Sequence, residues 1–433
     1  MTPPRALRRS QLRTLGLLFF GYAACYYCRA DLAVATPLLA DELTRGGIDH
    51  ASALVRIGTI TSLGTLAYAL GKFFLTGLGD YWGGRRNFNL GLAGALLCTL
   101  LFALGGGIPL FTAAWIGNRL IQSLSWAGLL KVTSKWFDYS SYGSIVGILS
   151  LSYLVGDAAA RQQMGQLIAH GYGWRAVFGF AALVMALALG ASLLWLRESR
   201  LAEGHPAATP NPLSLFAAAE APPASIGALL RPLLRSRAFL LVCVLSFACT
   251  IIRESFNNWT PAYLHDYVGL STSRAASLSA VFPGVGAVSV LGAGWLSDRM
   301  GLTGRSLLLT VGLGATAAAL LFFSATPSGP AGSLAAVSLI GLAAFCLLGP
   351  YSYLGGAFAL DFGGKQAGAV SSGIIDGIGY LGGALAGDGV ARLARAAGWG
   401  RVFITLALVS ALAATAAAML HALNRRAARS AHV

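Results

Sequence analysis

Hydrophobic residues in this 433-residue chain fall in long unbroken stretches, with few polar positions between them. Each stretch is about 20 residues long, which is the length an α-helix needs to cross a bilayer. The serial ten-residue alternation of a membrane β-barrel is absent. The pattern predicts an all-α polytopic membrane protein with twelve transmembrane helices, at 13–40, 54–79, 88–108, 111–132, 144–169, 174–196, 237–264, 275–297, 306–326, 331–354, 367–390 and 400–422.

The composition supports this prediction. Hydrophobic residues make up 56% of the chain and charged residues 11%, whereas a soluble protein carries about 25% charged residues. The six cysteines all lie within predicted spans, so no disulfide framework is implied. There is no Gly-rich phosphate loop and no His/Cys cluster at metal-ligand spacing. We therefore expect neither an enzyme nor a protein with a metal or cofactor.

The net charge of +15 follows from the distribution of lysine and arginine. More than half of these 31 residues fall in the segments that are cytoplasmic if the N-terminus is inside. The excess therefore reflects the positive-inside rule, and no nucleic-acid partner is expected. We predict a monomer in a lipid bilayer, with both the N-terminus and the C-terminus in the cytoplasm.

A Pro- and Ala-rich segment divides the chain into two groups of six spans. It contains HPAATPNPLSLFAAAEAPPAS and is typical of a flexible cytoplasmic linker. We predict an N-terminal six-helix bundle over 1–196, a linker over 197–236 and a C-terminal six-helix bundle over 237–433.

The two predicted bundles share a sequence pattern. Arg29 precedes Pro37 by eight residues, and Arg253 precedes Pro261 by the same distance. Near the end of each bundle, GWRAVF in the first corresponds to GWGRVF in the second. Parallel six-helix repeats are one known transporter plan, with the substrate site at the interface of the repeats near the membrane midplane. The pattern predicts two pseudo-symmetric bundles around such a site.

Arg29 and Arg253 are the main candidates for that site. A charge at the centre of a membrane helix costs roughly 2.5–3.5 kcal/mol, and repeat symmetry places these two face to face across a central cavity. The arginine fork matches phosphate or carboxylate, so two forks suit a dianion. Local neutralisation by Asp31 or Glu254 is the alternative. Residues adjacent or two apart on a helix do not face each other, which favours the substrate role.

Further candidates lie near these arginines. Tyr22, Tyr26 and Arg29 share one helix face, because their spacing is i, i+4, i+7. Lys72 lies in the small-residue context YALGKFF, which is consistent with a cavity position. Tyrosine hydroxyls beside an arginine suit phosphate oxygens.

Asp157 and Arg161 are spaced four residues apart, in VGDAAAR. This spacing is typical of an ion pair along one helix face. We predict a structural role for the pair.

A loop motif recurs in both predicted bundles. Gly294, Asp298 and Arg299 lie in GAGWLSDRMG, which resembles the loop signature of the major facilitator superfamily. The first copy, TGLGDYWGGRR, contains Asp80 and Arg85 and departs from the signature at Thr76 and Tyr81. Glycine permits close helix crossing, and a carboxylate at a helix end pairs with arginine. We assign these residues to gating and bracing.

The chain as a whole is similar to the organophosphate:phosphate antiporters of that superfamily. The resemblance rests on FFGYAACYYCRADLAVATPLL, IIRESFNNWTPAYL, GWLSDR and GYLGG. It implies the major facilitator fold, a bacterial inner membrane, and exchange of a phosphorylated metabolite or phosphonate for inorganic phosphate. Arg29 and Arg253 match the family's two substrate-binding arginines, and Lys72 matches a cavity lysine. Asn257, within the second stretch, is assigned to the same site.

Some positions depart from the family pattern. Ala30 stands where lysine is common, Tyr153 replaces a histidine of the glycerol-3-phosphate carriers, and Asp376 replaces a lysine linked to hexose-phosphate selectivity. Asp31 and Glu254 add further carboxylates. We assign Tyr153 and Asp376 to the substrate site, and the excess of acidic groups suggests a substrate that carries an amine.

Two other functions fit the same residues. One is a membrane sensor that binds a phosphorylated sugar and signals to a two-component system without transport. The other is a proton-coupled symporter of an organic anion or phosphonate, in which Asp157, Asp376 or Asp388 titrates.

Overall fold

The computed structural model describes residues 5–75, 82–208 and 226–430, and within these ranges the chain is almost entirely helical, with no β-strand. The helices are α1 Arg5–Arg45, α2 His50–Phe74, α3 Gly84–Leu104, α4 Ile108–Trp136, α5 Tyr139–Ala169, α6 Trp174–Trp195, α7 Ile226–Arg235, α8 Arg237–Ala262, α9 Thr272–Ser279, α10 Val281–Ser324, α11 Ser333–Tyr351 and α12 Ala359–Ser430. Short 3₁₀ turns lie at Arg200–Glu203 and Pro330–Gly332, and π-helical turns at Tyr263–Tyr267 and Leu354–Phe358.

Each of the twelve predicted spans is largely helical in the part that the structure describes. Among the described residues, nine helical segments are long and apolar enough to cross a membrane by length and composition, and the last of them, Ser371–Arg426, contains two predicted spans. The remaining two spans belong to α1 and α4, which carry Arg29 and Arg119 within their length. The prediction of an all-α protein with twelve membrane helices is confirmed.

Local sequence explains where several helices begin and bend. Asp49 caps α2 by accepting a hydrogen bond from the Ser52 amide at 3.0 Å, and Ser236 caps α8 in the same way. Within α1, Cys28 has non-helical backbone angles. This irregular residue directly precedes Arg29.

Two of the long helices each contain a reversal of the chain. In α10, Ser289 donates to the Phe345 carbonyl at 2.5 Å, while the backbone of Gly312 packs against the Cys346 carbonyl. A straight helix would separate residues 289 and 312 by about 34 Å, so α10 must fold back between them. In α12 the reversal occurs at Gly398, whose φ of 78° lies in the left-handed region that favours glycine.

Hydrophobic side chains form two main cores, one built mostly from α1–α6 and the other mostly from α7–α12. We refer to α1–α6 as the first half and to α8–α12 as the second half. Helix α7 lies in the segment 197–236, where the sequence favoured an irregular linker, so this segment is partly helical. The proposed domain limits stay a prediction.

The two ends of the molecule can be told apart by their contacts. One end, which we call the terminal end, holds the start of α1 and the end of α12. There Gln11 of α1 donates to the Trp136 carbonyl at 3.1 Å. His421 near the end of α12 lies 3.1 Å from the Ser306 hydroxyl. The other end, where α1 stops and α2 begins, is called the opposite end.

The halves are joined by polar contacts at the opposite end. His50 lies 3.3 Å from Asp266, and Thr59 donates to Asp388 at 2.7 Å. Arg395 extends the junction, 3.8 Å from Asp49 of α2. At the terminal end, in contrast, ion pairs among the described residues join neighbouring parts of the chain, as in Lys135–Glu198 at the first half and Arg305–Asp361 within the second half. The molecule is therefore closed at the opposite end.

Candidate functional site

Arg29 extends from α1 into the centre of the molecule among neutral groups. Its Nε donates to Oε1 of Gln122 at 2.6 Å, and its Nη1 donates to the Tyr26 hydroxyl at 3.2 Å. The guanidinium carbon lies 4.3 Å from the centroid of the Tyr68 ring, a distance typical of cation–π contact. Nη2 is buried and has no hydrogen-bond partner. No acidic side chain that the structure describes lies within ion-pair distance of Arg29.

Arg253 extends from α8 and is 7% exposed. Its Nη2 donates to Oε1 of Glu254 at 2.7 Å, and its guanidinium carbon lies 4.8 Å and 5.3 Å from the ring centroids of Tyr351 and Tyr380. The expectation that adjacent helix residues do not pair was therefore wrong here. The two side chains diverge at Cβ, but both are long enough to curl back and meet.

Lys72 and Asp376 connect the halves close to the two arginines. Nζ of Lys72 on α2 lies 3.7 Å from Oδ2 of Asp376 on α12, and it also lies 5.5 Å from the Tyr68 ring centroid. The rings of Tyr68 and Tyr380 meet edge to face at 4.7 Å. These contacts bring predicted residues of α2 and α12 into one cluster.

The predicted tyrosines form a ladder beside Arg29. Tyr22 and Tyr26 have ring centroids 5.7 Å apart, and Tyr26 and Tyr153 are 5.4 Å apart. Asn257 is not part of this ladder. Its side chain donates to Glu254 at 3.5 Å, and its backbone carbonyl accepts from Arg161 at 2.7 Å.

Two spaces adjoin these residues, and Tyr26, Tyr153 and Arg253 border both. An open cavity of about 470 Å³ extends toward the terminal end, and its lining includes Tyr22, Tyr26, Lys72, Tyr153, Arg253 and Asp376. A smaller space of about 40 Å³, which we call the inner pocket, lies toward the opposite end, and its lining includes Tyr26, Arg29, Trp115, Arg119, Tyr153, Arg161, Arg253, Glu254, Asn257 and Asn258. All eight predicted substrate-site residues therefore border one space or both.

Sequence reasoning missed several members of this cluster. Tyr68 lies one helical turn before Lys72, and Tyr380 lies one turn after Asp376, so the i, i+4 rule was the signal that could have found them. Gln122, which fixes Arg29, carried no such signal. Arg119 lies within the predicted span 111–132 but was not among the predicted site residues.

Asp157 and Arg161 form the expected helix pair, with Nε of Arg161 donating to Asp157 at 2.9 Å. Arg161 also reaches the second half, where it donates to the Asn257 carbonyl and, at 3.2 Å, to the Ser279 hydroxyl. Its role extends beyond bracing α5, because it closes the inner pocket toward the opposite end.

The acidic residues near the cavity are each engaged by a cation. Glu254 pairs with Arg253, Asp376 with Lys72, and Asp157 with Arg161. These three carboxylates are therefore already paired, whereas Asp31, which also entered the expectation of an amine on the substrate, accepts the Leu32 amide and has no ion pair among the described residues. The amine on the substrate stays a prediction.

Of the residues assigned to gating, Arg85 lies at the start of α3 in a network of hydrogen bonds. The backbone N–H groups of Gly84 and Arg85, at the start of α3, donate to Glu198 at 3.0 Å and 2.7 Å, and Lys135 lies 2.5 Å from the same carboxylate. Partial burial acts to raise the pKa of Glu198, but the hydrogen bonds from Lys135 and the two amides lower it below its ordinary value. Arg85 also donates to the Leu193 carbonyl at 2.8 Å.

The second copy of the motif is described only in part. At Gly294 an added Cβ would meet nothing within 4 Å among the described atoms, so the expected close helix crossing is not seen there. Asp80 lies outside the described residues, as do the side chains of Asp298 and Arg299. Their assignment to gating stays a prediction.

Comparison with known proteins identifies relatives along most of the chain. The sequence profile of the Major Facilitator Superfamily matches residues 18–387. The chain is 27% identical over 422 residues to a probable hexose phosphate transport protein of Chlamydia muridarum, covering 92% of this chain and 88% of that protein. It is 24% identical to the membrane sensor protein UhpC of Escherichia coli, with 95% and 91% covered. It is 22% identical to the glycerol-3-phosphate transporter of Bacillus subtilis, with 87% and 84% covered.

Solved structures share the fold. The chain superposes on a POT family transporter with a TM-score of 0.72 at 15% identity, covering 93% of this chain and 95% of that one. A bacterial homologue of the lysosomal transporter Spinster gives a TM-score of 0.71 at 16% identity, with 95% and 97% covered. These likenesses confirm the predicted fold, and the relatives confirm the resemblance to the organophosphate:phosphate antiporters. The relatives are transporters and a sensor, as expected for a chain that is not an enzyme.

Proposed function

The chain belongs to the Major Facilitator Superfamily, and we propose that it exchanges an organophosphate or phosphonate for inorganic phosphate by alternating access. One observation carries the proposal: Arg29 of the first half and Arg253 of the second half both border the inner pocket. Two arginine forks on different halves suit the two-point binding of a phosphate dianion. The names of the relatives, which include hexose phosphate and glycerol-3-phosphate transporters, agree with a phosphorylated substrate.

The mechanism follows from electrostatics. Without an anion, closing the halves removes water from around several cations and strengthens their mutual repulsion. A bound phosphate offsets that repulsion and lowers the barrier to the occluded state. The empty carrier would therefore return slowly, so that outward and inward movement are coupled as exchange.

The proposed orientation assigns a direction to the open cavity. If both termini are cytoplasmic, as the positive-inside rule predicts, the cavity is open to the cytoplasm and the opposite end faces outward. Opening outward then requires the contacts between halves at His50–Asp266, Thr59–Asp388 and Arg161–Asn257 to separate. The first two are hydrogen bonds between polar groups that water can replace. The third involves the buried Arg161 and must separate as the inner pocket opens.

The test is phosphate exchange in proteoliposomes loaded with phosphate, using labelled external phosphate. We expect exchange in the parent, and a loss of at least about tenfold in Arg29→Lys and in Arg253→Lys, because lysine keeps the charge but lacks the fork. Arg175→Lys is the matched control, since Arg175 is half exposed and pairs with Glu42 away from both spaces. No exchange in a folded parent would refute antiport, and full exchange in both site variants would refute the arginine clamp.

A sensor function is the second candidate, favoured by the similarity to UhpC. The same experiment separates the two, because a sensor binds labelled phosphate without flux. A proton-coupled symporter is less well supported, since Asp157, Asp376 and Asp388 are each ion-paired. Uptake driven by a pH jump without internal phosphate would nevertheless establish it.

A further inference from the structure

Arg119 is a third arginine at the centre of the molecule. It lies on α4, one turn before Gln122 and 5% exposed, and it borders the inner pocket. Its guanidinium carbon lies 5.1 Å from the Tyr68 ring centroid, and that of Arg29 lies 4.3 Å from the same centroid. Both guanidinium groups therefore contact the same aromatic ring, and both residues line the same pocket.

The inner pocket is rich in hydrogen-bond donors that have no acceptor. Buried atoms without a partner include Nε of Arg119, Nε1 of Trp115 and Nδ2 of Asn258, together with Nη2 of Arg29 and Nε of Arg253. All five residues line this pocket. Leaving a buried donor unsatisfied costs about 1–3 kcal/mol, and more for a charged group. Such a set is expected where a ligand supplies the acceptors.

The charges around the inner pocket also favour an anionic ligand. Arg253 is paired with Glu254 and Arg161 with Asp157. Arg29 and Arg119 have no ion-pair partner among the residues that the structure describes. The nearest acid in sequence to Arg29 is the buried Asp31, whose Oδ1 accepts the Leu32 amide at 2.7 Å. No carboxylate among the described residues therefore contacts Arg29 or Arg119 directly, which leaves both guanidinium groups available to an anionic ligand.

The position of Arg119 is fixed by close packing. A Cβ added at Gly64 of α2 would lie 3.0 Å from Cγ of Arg119 and closer still to the Trp115 ring. Only glycine leaves room for both side chains at this crossing of α2 and α4. The aliphatic part of the Arg119 side chain is thus held in place before a ligand arrives, which reduces the entropy lost on binding.

We infer that Arg119 forms a second anion-binding subsite in the inner pocket, and that the preferred substrates are organophosphates with a second anionic group. One anionic group would lie between Arg29 and Arg253, and the other would accept from Arg119 with Trp115 and Asn258. The second group is a carboxylate or another phosphate. This inference rests on the proposed function, because it takes the arginine clamp as the first subsite.

The first experiment uses the unmodified protein in detergent and measures displacement of labelled inorganic phosphate. Two matched pairs of competitors differ by one anionic group: 3-phosphoglycerate against glycerol-3-phosphate, and fructose-1,6-bisphosphate against fructose-6-phosphate. We expect the doubly anionic member of at least one pair to compete at a concentration at least about tenfold lower. Equal potency within both pairs would overturn the inference.

The second experiment repeats the competition with Arg119→Gln and Arg119→Lys. The readout is the ratio within each pair, since removing one charge weakens the binding of every anion. We expect the ratio to approach one in Arg119→Gln and to be partly retained in Arg119→Lys. Arg56→Gln is the control, because Arg56 lies on the exposed face of α2 and should leave the ratio unchanged.

The outcomes separate this inference from the proposed function. If the parent binds no phosphate, the proposed function fails. If phosphate binds but Arg119→Gln keeps the full ratio, the clamp stands and the Arg119 subsite is wrong. Should Arg119→Gln fail to fold, the ratios in the parent and in Arg119→Lys still decide the matter.

Discussion

Arg29 and Arg253 occupy equivalent positions in the two halves, but their surroundings differ in charge. Arg29 is held by an amide and two tyrosines, whereas Arg253 donates directly to the carboxylate of Glu254. The first half therefore presents a cation that is not neutralised, and the second half presents an ion pair. Repeat symmetry conserves the position of a side chain but does not conserve its net charge.

The origin of the difference is a single position in the repeat. The residue after Arg29 is Ala30, and the residue after Arg253 is Glu254. An alanine leaves the arginine available to ligand, while a glutamate competes with the ligand for the same donors. Binding of phosphate at Arg253 must therefore share the arginine with Glu254, and the two halves should respond differently to the same substitution.

The largest effect is expected from Arg253→Gln. This change leaves Glu254 buried without its cation, and breaking such a pair costs about 3–5 kcal/mol of stability. Phosphate affinity should fall by at least about 100-fold, because the remaining carboxylate also repels the anion. Phosphate binding and the thermal unfolding midpoint, both in detergent, measure the two effects.

Adding Glu254→Gln to Arg253→Gln provides the control. The double variant should recover most of the lost stability and about tenfold in affinity, since the unpaired charge is gone. Equal behaviour of the single and double variants would show that the ion pair does not govern this half of the site.

A smaller effect is expected from Arg29→Gln. The variant loses charged hydrogen bonds to phosphate, worth about 1.5–3 kcal/mol, or roughly 10–100-fold in affinity. Stability should change little, because no acidic group near Arg29 is left unpaired. Adding Glu254→Gln here should give no rescue of stability. A large loss of stability in Arg29→Gln would mean that the two arginines play the same structural role, and would contradict the difference in charge between their surroundings.

The fold could be predicted from the sequence because its main determinant is local. Long apolar stretches fix the helices, and the order of RADLAVATP and RESFNNWTP fixes the repeat. The reversals within α10 and α12 coincide with the predicted breaks between spans at 298–305 and 391–399, and the second is made at Gly398. Helix α7 was missed because it falls in a Pro- and Ala-rich segment without membrane-spanning length.

The site could be predicted only in outline. Single charges within apolar helices identified Arg29, Arg253 and Lys72 as unusual, and the spacing rule added the tyrosines of α1. Pairing between side chains was harder, because Lys72–Asp376 joins α2 to α12 across some 300 residues of chain. The function of Arg119 depends on which of its neighbours are already paired, and that information exists only in three dimensions.

The smallest expected effect concerns the terminal end, where the halves also differ. Glu198 accepts two backbone N–H groups and the Lys135 ammonium, whereas Asp361 is bound by Arg305 at 2.9 Å. Because Glu198 is about one-third exposed, screening limits its contribution, and Glu198→Gln should destabilise the protein by no more than about 1 kcal/mol. Asp361→Asn, which removes no contact to a helix start, should cost less.

The pH dependence shows whether the charge of Glu198 carries this effect. Its pKa is lowered in the folded protein, so the stabilisation is complete above the ordinary value of about 4.5 and is lost as the pH falls through the folded-state pKa. The difference in unfolding midpoint between the parent and Glu198→Gln should therefore be largest at neutral pH and shrink below about pH 4.5. A difference that is the same at pH 7 and pH 4 would assign the contribution to packing. A shift in Asp361→Asn as large as that in Glu198→Gln would mean that the halves are braced alike at this end and differ only at their arginines.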